Sequence, residues 1–361
     1  MPAAEQTAGR LATLRGPVPG KVARWLLTIA AVVGLYAIAP LYDGTFFLSF
    51  LVDVLILGLA ALGLQHIVGD AGVLNLGQAA FFGLGAYGGV WTLQHWGWST
   101  LPAFGAAIVV ALGGAVLMAP LLRLRGVYFA MASFAFGAMM FEIYGQAVSI
   151  TGGENGLFLI PPPEILGHTF VGNRDAYLLV LSVALVCYAL LALVSRTGYG
   201  LSLHAVRQSE NGARASGVNV ARLRFLALAL GVIPAALAGV LYAQVHGIVQ
   251  STIFDYNQSV SLITMVIIGG VASRWGAFAG ALVAQYLAVY PQSIASYRFL
   301  LYGVLIAVLM IVLPGGIASA GRPLARTGRR RITRYSSRSR CVKQPPPARM
   351  CSTIRAPSSP V

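Results

Sequence analysis

Charge is scarce in this sequence. Its 361 residues carry 25 Lys and Arg and ten Asp and Glu. The charged share is 10%, against about 25% in a soluble domain, which excludes an ordinary water-soluble fold. Cysteine is scarcer still. Cys187, Cys341 and Cys351 lack the spacing of a metal or redox site, and Cys187, inside an apolar run, reads as a small hydrophobe. The five histidines are scattered, and there is no HExxH, GxSxG or Gly-rich Walker loop. No catalytic residue, metal or cofactor is therefore expected, nor is ATP binding by this chain. The alternating segments of roughly ten residues that mark a transmembrane β-barrel are absent. Residues 1–24 are polar and basic with no A-x-A site after them, so a cleaved signal peptide is not expected.

What the chain has is apolar length. Hydrophobic residues make up 57% of it. A helix needs about 20 apolar residues to cross a bilayer. Ten segments approach that length: 25–41, 46–68, 72–93, 101–122, 127–150, 176–194, 225–245, 260–272, 277–290 and 299–313. The pattern predicts an all-α, polytopic transmembrane helical bundle. The segments 260–272 and 277–290 are each shorter than a span and are interrupted by "GGVASRWGAFAG", which suits short or re-entrant helices. Three regions follow: a cytoplasmic segment 1–24, a membrane domain 25–314 and a basic tail 315–361. The tail is Arg-, Ser- and Pro-rich, cannot bury a core and is expected to be disordered. Its charge suits contact with membrane lipid, although incidental charge is the simpler reading.

Basic residues orient the bundle. Eleven of the 25 lie after Gly321; without them the net charge falls from +15 to +4. This balance reads as membrane topology rather than nucleic-acid binding. With both termini cytoplasmic, 23 basic residues lie inside and only Arg174 and Arg298 outside. The outer loop "SITGGENGLFLIPPPEILGHTFVGNRDA" is long. The inner loop 195–224 is the longest cytoplasmic segment before the tail, and 204–215 has helix-compatible spacing with a weak point at Asn211–Gly212.

Polar groups inside apolar runs mark the candidate sites. In "AGVLNLGQAAFFGLGAYGGV", Asn75 and Gln78 stand three residues apart and share a helix face. Each needs a partner in hydrocarbon. They either bond a neighbouring helix or line a water-accessible path at the start of a broken helix. Gly77, Gly83, Gly85, Gly88 and Gly89 are read as a narrow packing face of small residues. Asp53 and Glu142 are acidic residues within predicted spans, and an intramembrane charge is a path candidate by default.

The stretches "GVLNLGQAAFFGLGAY", "RLRGVYFAMASFAFG", "TGGENGL", "AVRQSENGARASGVNVARLRFLAL" and "MVIIGGVASRWGAFAG" occur in an order that resembles the permease subunits of branched-chain amino-acid ABC importers, of LivM type. The resemblance covers residues 46–314. It implies a second, LivH-like permease subunit, two cytoplasmic ABC ATPases, a periplasmic substrate-binding protein and an amino-acid substrate, all at a bacterial inner membrane. It also implies that the segment around Arg207, Glu210, Ala213 and Gly217 docks on an ATPase. Ala213 and Gly217 are expected one helical turn apart, with Glu210 one turn earlier. "ENGARASG" departs from the family's more usual "EIAAEAMG"-like pattern and weakens that helix. Other readings are a permease for urea, short amides or sugars, or a secondary transporter or channel, which ATP dependence of transport would separate.

The charge pattern makes a direct prediction. Asn173→Cys should react with a membrane-impermeant thiol reagent in intact cells, and Ser209→Cys should not. Swapped labelling would reverse the orientation.

Overall fold

The computed structural model describes residues 45–289, apart from positions 98, 125, 166 and 272, together with Tyr36 and Gly303. Apart from Tyr36 and Gly303, the expected spans 25–41 and 299–313 lie outside the described residues, as do the segment 1–24 and the tail 315–361.

Helix α1 (Thr45–Gln65) runs directly into a π turn, His66–Asp70. The chain is then non-helical to Gly77, and α2 spans Gln78–Trp96. Helix α3 (Thr100–Met118) ends in a 3-10 turn, Ala119–Arg123. Next come α4 (Val127–Gln146) and the single turn α5 (Val148–Thr151). Helix α6 (Asn173–Val194) leads to two short helices, α7 (Gly198–Gln208) and α8 (Glu210–Ala215). The long α9 (Val220–His246) precedes α10 (Tyr256–Gly269) and α11 (Arg274–Val289). Among the described residues, five stretches are long and apolar enough to cross a membrane: Phe46–Asp70, Thr100–Arg123, Val127–Gln146, Asn173–Val194 and Val220–His246. The α10–α11 pair, bent by 118° at its break, would make a sixth. The chain is a polytopic helical membrane protein.

Among the described residues, strands are confined to the loops. Leu157–Phe158 pairs antiparallel with Ile248–Val249, and Glu164–Ile165 with His168–Thr169. The first pair pins the long loop after α5 to the end of α9. The turn before it needs glycine: Gly152, Gly153 and Gly156 have φ of 73°, 68° and 80°, where a side chain is strained. That is the structural content of "TGGENGL".

Three boundaries differ from the sequence reading. The segment expected as helix from 72 starts only at Gln78, because Gly72 turns the chain at φ 70° and the Asn75 side chain caps the Gly77 N–H. The segment 127–150 breaks at Ala147, outside helical geometry at ψ 57°. The inner helix breaks at Ser209, two residues before the expected weak point. Ser209 is extended, and its Oγ accepts from the Gly212 N–H at 3.2 Å as an N-cap.

Helix α2 lies at the centre, packed against α3, α4, α9 and α10. Nearly every residue from Gln78 to Leu93 is buried by protein. It therefore does not need a lipid-facing surface, and its glycines serve close approach. They do not form the single narrow face expected. A side chain at Gly85 would fall on the Ala236 backbone of α9, and one at Gly89 on the Val240 side chain. Gly83 faces Tyr144 of α4, Gly88 faces Val110 of α3, and Gly77 faces the Ser133 carbonyl of α4. Gly239 of α9 returns the contact onto the Phe82 carbonyl. Packing acts all around α2 because the helix has protein on all sides.

Overpacking a core costs about 1–3 kcal/mol, and more where backbone rather than side chain must move. Gly85→Leu should therefore abolish recovery of folded protein from detergent. Gly113→Leu, on α3 with open space around it, should leave recovery unchanged. Size-exclusion profiles at matched expression test the pair.

Candidate path and coupling sites

The broken entry to α2 is satisfied from every side. Asn75 Oδ1 accepts from the Gly77 N–H at 3.0 Å, and Asn75 Nδ2 donates to Gln78 Oε1 at 3.0 Å. Gln78 Nε2 donates to the Gly231 carbonyl of α9 at 3.2 Å. Gly231 stands three residues before Pro234, the proline inside α9. The Leu76 N–H donates to Ser133 Oγ of α4 at 3.0 Å, and the Ala79 N–H to Ser259 Oγ of α10 at 3.1 Å. Asn75 and Gln78 are fully buried. The two amides thus sit inside the protein, each with protein partners, and join α2 to α9 where helix geometry stops.

A knot of polar groups closes one end of the bundle. Asp70 ends the π turn. Its Oδ2 lies 2.9 Å from His66 Nδ1, accepts from Arg274 Nη2 at 2.8 Å, and lies 3.2 Å from the Ser195 hydroxyl. His204 Nε2 is 3.9 Å from Oδ1. The neighbouring Gly69 carbonyl accepts from Arg207, whose stem packs on Gly72. Gln65 Nε2 donates to the Val271 carbonyl at 2.8 Å. Three remote parts of the chain meet here: the end of α1, the inner loop, and the tip of the α10–α11 hairpin.

The inner loop is a small folded platform. Val206, Ala213 and Val220 form its own core, with Val218 and Leu223 against them. Glu210 holds Arg214 at 2.7 Å and Arg224 at 2.9 Å. Asn219 caps α9 by accepting from the Arg222 N–H at 3.1 Å. The expected helical face of Glu210, Ala213 and Gly217 is not formed. Helix α8 ends at Ala215, Gly217 turns the chain at φ 79°, and Ala213 is buried within the platform. Leu201, Asn211 and Gly217 are on the exposed side.

The opposite end holds a polar cavity of about 330 Å³ between α1, α9, α10 and α11. Asp53 lines it and pairs through Oδ1 with His246 Nε2 at 3.1 Å. Asp255 lines it too and caps α10, accepting from the Gln258 N–H at 2.8 Å. Glu142 is elsewhere. It is exposed on α4 in a shallow depression with Met139 and Gln146, apart from Asp53 and from the amides.

Sequence reasoning passed over Asp70, His66, Arg274, His246 and Asp255. One signal was available. Asp70 is an acid closing an apolar run, and the inner loops are rich in arginine, so it had cationic partners within reach.

The described bundle thus has a polar cavity at one end, an ion-paired knot at the other and a folded platform beside that knot. The architecture is that of a membrane permease. A family model described as branched-chain amino acid transport system / permease component matches residues 46–313, and the chain belongs to that family. It is 28% identical over 288 residues to the high-affinity branched-chain amino acid transport system permease protein LivM of Salmonella typhimurium, covering 73% of this chain and 67% of that one. The LivM of Escherichia coli K12 gives the same figures. The LivH permease protein of Salmonella typhimurium is 26% identical over 193 residues, 49% of this chain and 59% of that one. No solved structure matches.

Breaking a buried ion pair by removing one partner costs about 3–5 kcal/mol; here about 3 is expected, because the Arg274 side chain keeps 23% exposure. Asp70→Asn should lower the thermal midpoint of the detergent-solubilised protein. Arg274→Gln added to it should cost less than the two separate losses summed. Additive losses would show that the pair is not coupled.

Proposed function

We propose that this chain is one of two permease subunits of an ATP-driven importer for branched-chain or related amino acids in a bacterial inner membrane. The second subunit is LivH-like. Both named relatives, LivM and LivH, align with this chain, as two related halves of one pathway would. Two cytoplasmic ABC ATPases supply the energy, and a periplasmic binding protein delivers substrate. Arg123, Arg196, Arg207, Arg214, Arg222, Arg224 and Arg274 gather on the side of the Asp70 knot, which the positive-inside rule makes cytoplasmic. Both termini are assigned to that side.

One observation carries the reading: the inner-loop platform is tied to the α10–α11 tip through Arg207, Ser195 and the Asp70–Arg274 pair. An ATPase bound to the platform therefore has a route to the hairpin. ATP binding draws the platforms of the two subunits together, the knot shifts, and the hairpin moves relative to α1. The energy comes from the different affinity of the ATPase dimer for ATP in the two states. Asn75 and Gln78 act here as the fixed joint between α2 and α9, and Asp53 faces the outer route. Glu210 and Arg207 hold the platform's shape and its tie to the knot, Ala213 fills its core, and its exposed side docks on the ATPase.

The test uses the purified complex in liposomes with its binding protein. Leucine uptake should require ATP; uptake without ATP would overturn the importer reading. Leu201 is 77% exposed on the platform. A central interface side chain is worth about 2 kcal/mol or more, so Leu201→Asp should cut co-purification of the ATPases more than tenfold. Unchanged co-purification would move docking off this face.

A further inference from the structure

We propose that the cavity between α1, α9, α10 and α11 is an amino-acid binding site on the path, in which Asp53 and Asp255 receive the substrate's ammonium group. This rests on the amino-acid importer reading and adds where the substrate pauses and which of its groups is read.

The cavity's chemistry selects its ligand. Its volume, about 330 Å³, is at the lower end of the range for small-molecule sites and has room for one amino acid. Its titratable lining groups among the described residues are Asp53, Asp255 and His246, and no Lys or Arg is among those described lining residues. His246 has an acceptor at each ring nitrogen: the Tyr242 carbonyl lies 3.1 Å from Nδ1, and Asp53 Oδ1 lies 3.1 Å from Nε2. Both ring nitrogens of His246 are thus engaged, one by backbone and one by Asp53. Among the described residues, Asp255 takes part in no ion pair with a Lys, Arg or His. Its oxygens accept from the Gln258 N–H at 2.8 Å and from Asn257 Nδ2 at 2.6 Å, which holds the carboxylate in place at the cavity edge. A cationic group is favoured there, and a bare carboxylate is not.

The rest of the wall suits the remainder of an aliphatic amino acid. Leu57, Phe82 and Met265 give an apolar side, and Gln258 and Gln285 supply amide donors for a carboxylate. A larger cavity of about 880 Å³, between α2, α3 and α4, is apolar and has no charged lining group. It cannot compensate the desolvation of a zwitterion. The polar cavity is also connected to the energy source. Met265 lies on α10 and Gln285 on α11, the two limbs of the hairpin whose tip is held by Asp70. Movement of that tip shifts the wall against which substrate rests.

The experiment uses the complete importer complex carrying Ser261→Cys, a cavity-lining position, with Cys341→Ser and Cys351→Ser. The rate of maleimide labelling at position 261 is followed with L-leucine, with isoamylamine, which keeps only the ammonium, and with 4-methylpentanoate, which keeps only the carboxylate. Leucine and the amine should slow labelling; the acid should not. Asp255→Asn retains the N-cap of α10 and should raise the amine concentration needed for protection at least about tenfold, the loss of one charge-assisted contact. Asp53→Asn should act in the same direction. Equal protection by the acid, or no protection by any of the three, overturns the proposal. ATP-driven leucine uptake by the same complex scores the importer reading separately, so an active importer with an unprotected cavity would refute the site alone.

Discussion

Asp70 holds together parts of the chain that sequence distance keeps far apart. One carboxylate oxygen meets His66 of its own turn, Ser195 after α6 and Arg274 at the hairpin tip. A buried carboxylate is costly unless it is paired and hydrogen-bonded, and here every one of these groups offsets that cost. The π turn at His66–Asp70 widens the end of α1 and puts His66 and Asp70 together in the knot. The adjacent Gly69 carbonyl takes Arg207, which brings in the platform. Remove the carboxylate and the loop, the hairpin and α1 lose their common point.

The same constraint operates deeper in the bundle. Non-helical backbone at membrane depth is tolerated only where protein or water satisfies it. The stretch between Asp70 and Gln78 and the first turn of α2 are held by Ser133 of α4, Ser259 of α10 and the amides of Asn75 and Gln78. These bonds fix α2 against α4, α9 and α10 at once. The close approach of backbones at Gly85 and Gly239 then follows, because a helix so positioned leaves no room for side chains on the facing surfaces. A rigid centre of this kind lets movement be confined to elements attached at their ends, namely the platform and the hairpin.

Much was legible in the sequence. Apolar length and the scarcity of charge defined a polytopic helical bundle. The doubt over 260–290 resolved into two short helices sharply bent at "GGVASRWG". Five ordered motifs pointed to the family that residues 46–313 match. Asn75 and Gln78 were marked as groups that must find partners, and Asp53 as a charge to be explained. These conclusions rest on transfer energetics and local propensity, which are properties of the residues themselves.

Other features were decided only by the tertiary structure. The partner that Gln78 takes across the bundle is the Gly231 carbonyl, more than 150 positions away. Asp53 became interpretable only when α9 delivered His246 to it and α10 delivered Asp255 to the same cavity. The glycines of α2 looked like one face because helical spacing says nothing of how many neighbours surround a helix. Ala213 looked like a contact surface until Val206 and Val220 closed over it. The physical reason is common to all four. Hydrogen bonds, ion pairs and packing act over a few ångströms in space, and the residues that satisfy them are brought within that range only when the whole chain has folded.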